Sequence, residues 1–274
     1  MKATFDRRKL LQGSVVAAGF SLTGLPFFEC LAKETVKYDA AVIGGGIAGL
    51  SAALEACQKG KRIVVIQAQP MMGGNAFLST GWFYACNSPL QRKHSKIVDS
   101  AEQFTKDSLA ISEGRRDPMW TKIVAENSGR DIEWLEKNGV VFEDFITSSM
   151  GSTVPRAIQV KGYGRALIHT LEKAIIKTGK ADFLFETRCT GLLQKQGKLI
   201  GVKTVCNGTE KDVFAKTVIL ATGDFCFNKD MLRQYAPKFA SFGAVGDPNG
   251  QGDGLRMVMA LGAQTRHLNV LNIV

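Results

Sequence analysis

A strand, a tight glycine turn and a helix follow one another between Tyr38 and Lys59, and few folds accommodate that order. Tyr38-Asp39-Ala40-Ala41-Val42-Ile43 is an apolar run of strand length. Gly44-Gly45-Gly46-Ile47-Ala48-Gly49 follows with the spacing G-x-G-x-x-G, and Leu50 to Lys59 reads as a helix. Glycines placed this way let the backbone come close to a pyrophosphate, at a helix N-terminus whose free N–H groups and dipole favour anions. A glycine-rich turn alone is a weak signal, because it also serves tight packing. Between a strand and a helix it predicts dinucleotide binding. Arg62-Ile63-Val64-Val65-Ile66 is a second buried strand, so the unit reads as a right-handed βαβ crossover in a parallel sheet.

The end of that second strand carries Gln67, about 20 residues beyond the glycines, where a dinucleotide fold usually sets an acidic residue on the adenosine ribose. An amide bonds a ribose hydroxyl more weakly than a carboxylate does. A second glycine-rich loop runs from Met71 to Trp82. Amphipathic stretches at about Ser95–Ser112 and Met119–Asn138 predict two helices, the second opened by Asp117-Pro118 and stopped by Gly139. Tyr163–Lys177 is a further helix. The period then changes to that of strands over Ala181–Glu186, Cys189–Lys195, Leu199–Cys206 and Asp212–Ala215, with hairpin turns at Gln196-Gly197 and Asn207-Gly208. Lys216–Leu220 is a buried strand ending at Ala221-Thr222-Gly223. Helices near Lys229–Tyr235 and Gly254–Leu261 complete the pattern.

Ahead of the first strand, Asp6-Arg7-Arg8-Lys9-Leu10-Leu11 leads into a weakly apolar run to Phe28, interrupted by Gly13, Gly19, Gly24 and Pro26. A basic start, an apolar middle and a polar end are the layout of an export signal, and the paired arginines resemble a twin-arginine signal. Residues 1–32 are read as that signal, with cleavage after Ala32, and residues 33–274 as the folded domain. The interrupted run suits a permanent membrane span poorly. An apolar fraction of 45% supports a real core. The net charge of +10 is scattered and forms no basic run interleaved with aromatics, which argues against nucleic acid and for an anionic substrate or an acidic partner. Cys30, Cys57, Cys86, Cys189, Cys206 and Cys226 include no C-x-x-C, and His94, His169 and His267 have no ligand spacing, so neither haem attachment nor a metal site is expected. Cys57, Cys189 and Cys206 sit in apolar patterns and read as buried small hydrophobes.

Four motifs in order, Gly44–Gly49, Gly73-Gly74-Asn75, Ala221-Thr222-Gly223 and Gly252-Asp253-Gly254, resemble the flavoprotein family that includes fumarate reductase, succinate dehydrogenase and soluble flavocytochrome c. The single-chain periplasmic branch, with fumarate and urocanate reductases, is the most similar. The resemblance runs from Tyr38 to the last residue. It implies an α/β fold: a Rossmann-like FAD-binding domain of glutathione-reductase type, with a parallel sheet and a β-meander. It implies non-covalent FAD rather than NAD. By position, Gly44, Gly45, Gly46, Ala48 and Gly49 form the pyrophosphate turn, and Gln67 stands where the family has a ribose-binding Glu. Gly73, Gly74, Asn75 and Ala76 line the pyrophosphate and ribityl region, and Thr80, Gly81 and Trp82 approach the isoalloxazine. The backbone of Cys189 faces the adenine. Ala221, Thr222 and Gly223 pack on the cofactor, and Asp253 either binds near its phosphate or ribityl chain or caps the following helix.

The departures are Gln67 for Glu, Gly81-Trp82 for a glycine pair beside the flavin, and Asp224-Phe225 for Gly-Phe after the Ala-Thr-Gly. An Asp near the ring raises the cost of a reduced, anionic flavin. Leu268–Val274 is an apolar strand-like segment at the point where the family continues into a clamp domain and later returns with a closing FAD segment. No catalytic residue is therefore named, and Arg156 and His169 are read as surface or helix residues. The implied activity is that of an exported FAD-dependent oxidoreductase. It would reduce an activated C=C bond of a small carboxylate, with electrons from a separate cytochrome or quinol oxidase. A second chain supplying the clamp domain is one way to complete it. The competing readings are a truncated or split-gene flavin-binding fragment without turnover, and a degenerate flavodomain that acts as a binding module.

Overall fold

The computed structural model describes residues 37–270 apart from 95 and 150. The export-signal reading lies outside the described residues, as does the end of the apolar segment 268–274. In chain order the elements are β1 (Tyr38–Ile43), α1 (Ile47–Gln58), β2 (Ile63–Ile66), α2 (Gly74–Leu78), β3 (Trp82–Tyr84), α3 (Pro89–Lys93), α4 (Ala101–Ile111) and α5 (Pro118–Lys137). They continue as β4 (Ala157–Gln159), α6 (Tyr163–Thr178), β5 (Ala181–Leu184), β6 (Thr187–Lys195), β7 (Lys198–Cys206), β8 (Thr209–Leu220), α7 (Lys229–Tyr235) and α8 (Asp253–Met259).

Six strands form one sheet in the order β5-β2-β1-β8-β7-β6. β5, β2, β1 and the last part of β8 run parallel, with Val42 opposite Val65 and Ile219. β6, β7 and β8 form an antiparallel meander. β8 belongs to both parts: residues 209–214 pair with β7 and residues 215–220 lie along β1. The two separate strands expected over Asp212–Ala215 and Lys216–Leu220 are thus one. No Gly or Pro interrupts that stretch, so the pleat simply continues from one neighbour to the next.

The central strands are covered on both faces, which is why β2 has four consecutive apolar residues rather than an alternation. Val42, Ile63 and Val65 pack with Leu50 and Leu54 of α1 and with Leu167, Leu171 and Ile175 of α6. Ala41, Ile43, Val64 and Ile66 face the opposite way, onto Val202, Val213 and Met257.

Several expected boundaries move. The helix expected from Ser95 starts at Ala101, where Ser100 accepts a hydrogen bond from Gln103 N through its side chain. Such a cap satisfies an amide that the first turn leaves free. The second glycine-rich loop contains α2 and ends in β3, which pairs with β4 as a separate two-stranded ribbon. Asp117 caps α5 as expected, accepting from Met119 N and Trp120 N. Cys57 and Cys189 are buried, but Cys206, at the end of β7, is only half-buried.

Arg156 corrects the sequence reading. It is fully buried rather than superficial. Its guanidinium meets Asp99 through two N–H groups (2.8 and 2.9 Å) and Asp107 through a third (2.6 Å), and it lies 4.8 Å above the Phe104 ring. Burial pushes the Asp107 carboxyl up, but Arg156, Thr153 and Gln103 outweigh that effect and hold it at about 2. The triad ties α4 and the segment before it to β4. His169 is a half-exposed residue of α6, as expected, edge-on to Phe77.

Candidate cofactor cleft

The three central parallel strands end together, and the glycine turn is fixed between those ends. Gly44 N donates to Ile66 O and Ala221 N to Ile43 O, both at 2.8 Å. Each glycine of the turn then has its own reason to lack a side chain. Gly44 has φ +107°, and a Cβ there would stand 2.3 Å from Ala221 O. A Cβ on Gly45 would meet Met72 Sδ at 2.1 Å, and one on Gly49 would meet Gly44 O at 1.9 Å. These three glycines serve turn geometry and close packing. Gly46 differs. Its φ of −77° suits any residue, and the nearest atom to a built Cβ is Gly73 O at 3.7 Å. No protein atom requires glycine there, so the space beside Gly46 is kept for something else.

The first bond within α1 runs from Leu50 N to Gly46 O. The amides of Ile47 and Ala48 therefore have no intrahelical acceptor and point, with the positive end of the helix dipole, out of the turn. They open into a cleft of about 250 Å³. Its floor is the strand ends at Ile43, Ile66 and Ala221. One wall is the start of α1 with Gly74-Asn75-Ala76, and the other is Thr187-Arg188-Cys189 at the start of β6. This is the place in an open α/β sheet where ligands bind, beyond the carboxyl ends of the strands.

The cleft brings together Gly44, Gly45, Gly46, Ala48, Gln67, Gly74, Asn75, Ala76, Cys189, Ala221, Thr222, Gly223 and Asp253. Gly49 and Gly73 lie behind it: Gly49 packs α1 on β1, and Gly73, at φ +152°, bonds its amide to Gly45 O at 2.9 Å. Thr80, Gly81 and Trp82 do not line it. Gly81 packs on the Tyr163 backbone, and Trp82 stands edge-on to Phe145.

Gln67 is buried and engaged at both ends of its amide. Its Oε1 accepts from Gly45 N and its Nε2 donates to Met71 O, each at 3.0 Å. A carboxylate could make the first contact but not the second. Asp253 opens α8 but does not cap it; Gly252 occupies the cap position, and the Asp253 carboxylate pairs with Arg188 and with Arg256. Burial pushes the Cys189 thiol up to about 11, so it presents a neutral, apolar surface. Its strand is the sheet edge, which leaves backbone groups free to face a ligand.

Thr187, Arg188, Asp247 and Asn249 also line the cleft and were not anticipated. Asp247-Pro248-Asn249-Gly250 has the composition of a turn just before Gly252-Asp253-Gly254, a signal that was available. Arg188 gave none, because its approach depends on the register of β6.

The residues fit a dinucleotide diphosphate: a free helix N-terminus, a glycine whose missing side chain nothing in the protein explains, and apolar strand ends for a floor. The FAD binding domain family model matches residues 39–273. The NADH:fumarate oxidoreductase of Klebsiella pneumoniae is 29% identical over 241 residues, which are 86% of this chain and 26% of that protein. Among solved structures, the open conformation of a flavocytochrome c3 fumarate reductase superposes with a TM-score of 0.78 at 28% identity, over 83% of this chain and 41% of that one. The 3-ketosteroid-Δ4-(5α)-dehydrogenase of Rhodococcus jostii does so with a TM-score of 0.79 at 25% identity, over 88% and 57%. The chain thus spans between 26% and 57% of the length of these relatives. With the cleft geometry and the match over nearly all described residues, the chain belongs to the FAD-binding domain family of fumarate reductase-like flavoproteins, with FAD as its cofactor.

Proposed function

We propose that this chain is the flavin-holding part of an exported reductase that acts on the activated C=C bond of a small unsaturated carboxylate and draws electrons from a separate donor. The observation that carries the flavin reading is Gly46, open where a Cβ on Gly44 or Gly49 would run into backbone atoms. In this reading the Ile47 and Ala48 amides hold the diphosphate, and Gln67 fixes the turn that presents them. The Cys189 backbone borders the adenine, while Asn75, Ala76 and Asp253 border the ribityl side. Bound FAD would supply hydride-transfer chemistry, and the protein supplies its position. Two relatives carry fumarate in their names, and a net charge of +10 suits an anionic substrate. The Arg7-Arg8 signal pattern supports export, with the protein working outside the cytoplasm.

The likeness to a ketosteroid dehydrogenase favours a second substrate class, an apolar ketone. The test is oxidation of reduced viologen by the FAD-loaded protein, offered fumarate, acrylate, urocanate or an α,β-unsaturated 3-ketosteroid whose C=C bond would be reduced. Turnover with a carboxylate supports the proposal. Turnover with the steroid alone replaces the substrate class, and a protein that stays colourless with added FAD rejects the flavin reading.

A further inference from the structure

Residues 240–252, between the turn at Pro237–Phe239 and α8, place Asp247, Asn249 and Gly250 in the lining of the cleft. Their base is anchored on the segment after β8: Gly252 N donates to Asp224 O and Phe227 N to Gly250 O, each at 3.0 Å, and Asn228 Nδ2 donates to Gln251 O at 2.9 Å. Their tip is fastened to the far side. Asp247 N donates to Asn75 Oδ1 on α2 at 2.6 Å, and Gln69 Nε2, beyond the end of β2, donates to Asp247 Oδ1 at 2.7 Å. Arg188 donates to Asn249 Oδ1 at 2.9 Å. Asn75 is used at both ends, since its Nδ2 also donates to Asp224 Oδ2 at 3.0 Å. The Asp247 carboxylate stands close to Gly74, whose neighbour across the cleft is Gly46. Three carboxylates, Asp224, Asp247 and Asp253, and the single guanidinium of Arg188 therefore line a cleft suited to a diphosphate. Gly246, at φ +133°, and Gly250 allow the segment to lie this close; a Cβ on either would meet Asn75 Oδ1 or Asp224 Oδ1 within 2.6 Å.

We propose that residues 240–252 are a clasp that gates FAD entry and exit, locked by Asp247 between Gln69 and Asn75. The inference rests on the flavin reading above. A latch made of three side-chain hydrogen bonds opens far more easily than the sheet beneath it, and loops that move on ligand passage come from such weakly held segments. The gate alters rates: breaking the latch speeds binding and release together, whereas losing a direct FAD contact speeds release alone.

The experiment compares Gln69→Ala, Asp247→Ala and Asp247→Asn. FAD association is followed by stopped-flow fluorescence quenching and release by a chase, with deuterium exchange of peptide 243–252 as a flavin-independent readout. Asp247→Ala leaves the backbone bond to Asn75 but removes the acceptor of both Gln69 and Asn249 N, and is expected to raise both rates tenfold or more. Gln69→Ala, at a residue outside the cleft lining, should raise both about threefold and speed exchange of the peptide. Asp247→Asn keeps the acceptor and loses a charge from the cleft lining, so it is read by exchange of peptide 243–252, which should stay at the rate of the parent. Unchanged rates in both alanine variants overturn the clasp, and so does an Asp247→Asn whose peptide exchanges as fast as that of Asp247→Ala, which would assign the effect to charge. If Asp247→Ala fails to fold, Gln69→Ala decides alone. A parent protein that takes up no FAD overturns the flavin reading and the gate with it.

Discussion

Gly46→Val separates the cofactor role of the glycine turn from its structural role. At φ −77° valine meets no backbone strain, and the nearest protein atom to the new Cβ is 3.7 Å away. The fold should lose only the difference between a glycine and an aliphatic N-cap, about 1 kcal/mol. The added carbons enter the space in front of the Ile47 and Ala48 amides. Displacing two charge-assisted N–H to phosphate bonds costs roughly 1.5–3 kcal/mol each, so FAD affinity should fall about 10²- to 10⁴-fold. Gly49→Ala is the complementary variant. Its Cβ would lie 1.9 Å from Gly44 O, so α1 must shift away from β1, a strain of about 1–3 kcal/mol or more. Flavin titration by fluorescence, with urea unfolding of each variant, measures both quantities. The expected order is opposite in the two assays: Gly46→Val is poor in FAD and near-normal in stability, while the folded fraction of Gly49→Ala keeps FAD and is less stable. Parent-like FAD binding in Gly46→Val would refute the assignment of that space to the diphosphate. So would a loss of binding that merely tracks a loss of fold.

Arg156→Met leaves Asp99 and Asp107 buried without their cation and should destabilise the protein by roughly 3–5 kcal/mol in urea unfolding, with flavin affinity of the folded fraction unchanged. The low Asp107 value also sets an acid limit. Its folded pKa is below the ordinary carboxylate value, so the stabilisation is complete above about pH 4. It is lost as the pH falls towards 2, an effect of about 2 kcal/mol that Asp107→Asn should abolish in an acid-unfolding series. The Cys189 thiol, raised to about 11, should resist iodoacetamide at pH 8 in the folded protein and react only on unfolding, as peptide mass mapping would show. Arg7→Lys with Arg8→Lys should hold the precursor in the cytoplasm, read by fractionation; normal secretion would indicate another export route.

The parallel half of the fold was legible because its signals are local. An unbroken apolar strand, a glycine turn and a helical period need no knowledge of the rest of the chain; β1 and β2 stand where those signals placed them, and α1 starts a turn earlier than expected, at Ile47 rather than Leu50. The ribbon of β3 and β4 was not legible, since Trp82–Tyr84 finds its partner only at Ala157–Gln159. Arg156 was misjudged for the same reason: a guanidinium reads as superficial until Asp99 and Asp107 are seen to converge on it. At the cleft, residues inside motifs were found by spacing. Asp247 and Asn249 were missed although their Asp-Pro-Asn-Gly turn was readable beside Gly252-Asp253-Gly254, and Arg188 was missed because it arrives through the register of an edge strand. Gln67 lines the cleft at the end of β2, but its tie to Met71 depends on how the next loop turns back.

The shared strand β8 has a consequence for how the chain is made. β1 leaves the ribosome early and finds β2 and α1 at once, yet its other flank stays bare until residues 215–220 have been translated. The paired residues, such as Tyr38 and Ala215, are far apart in sequence, and contacts of that kind form slowly and leave the nascent chain sticky. Ala221 and Thr222, which complete the floor of the cleft, emerge directly behind the strand that seals the sheet. A nucleotide that needs this floor and the later Asp247 and Asp253 side of the cleft meets a complete site only after β8 and α8 have been made.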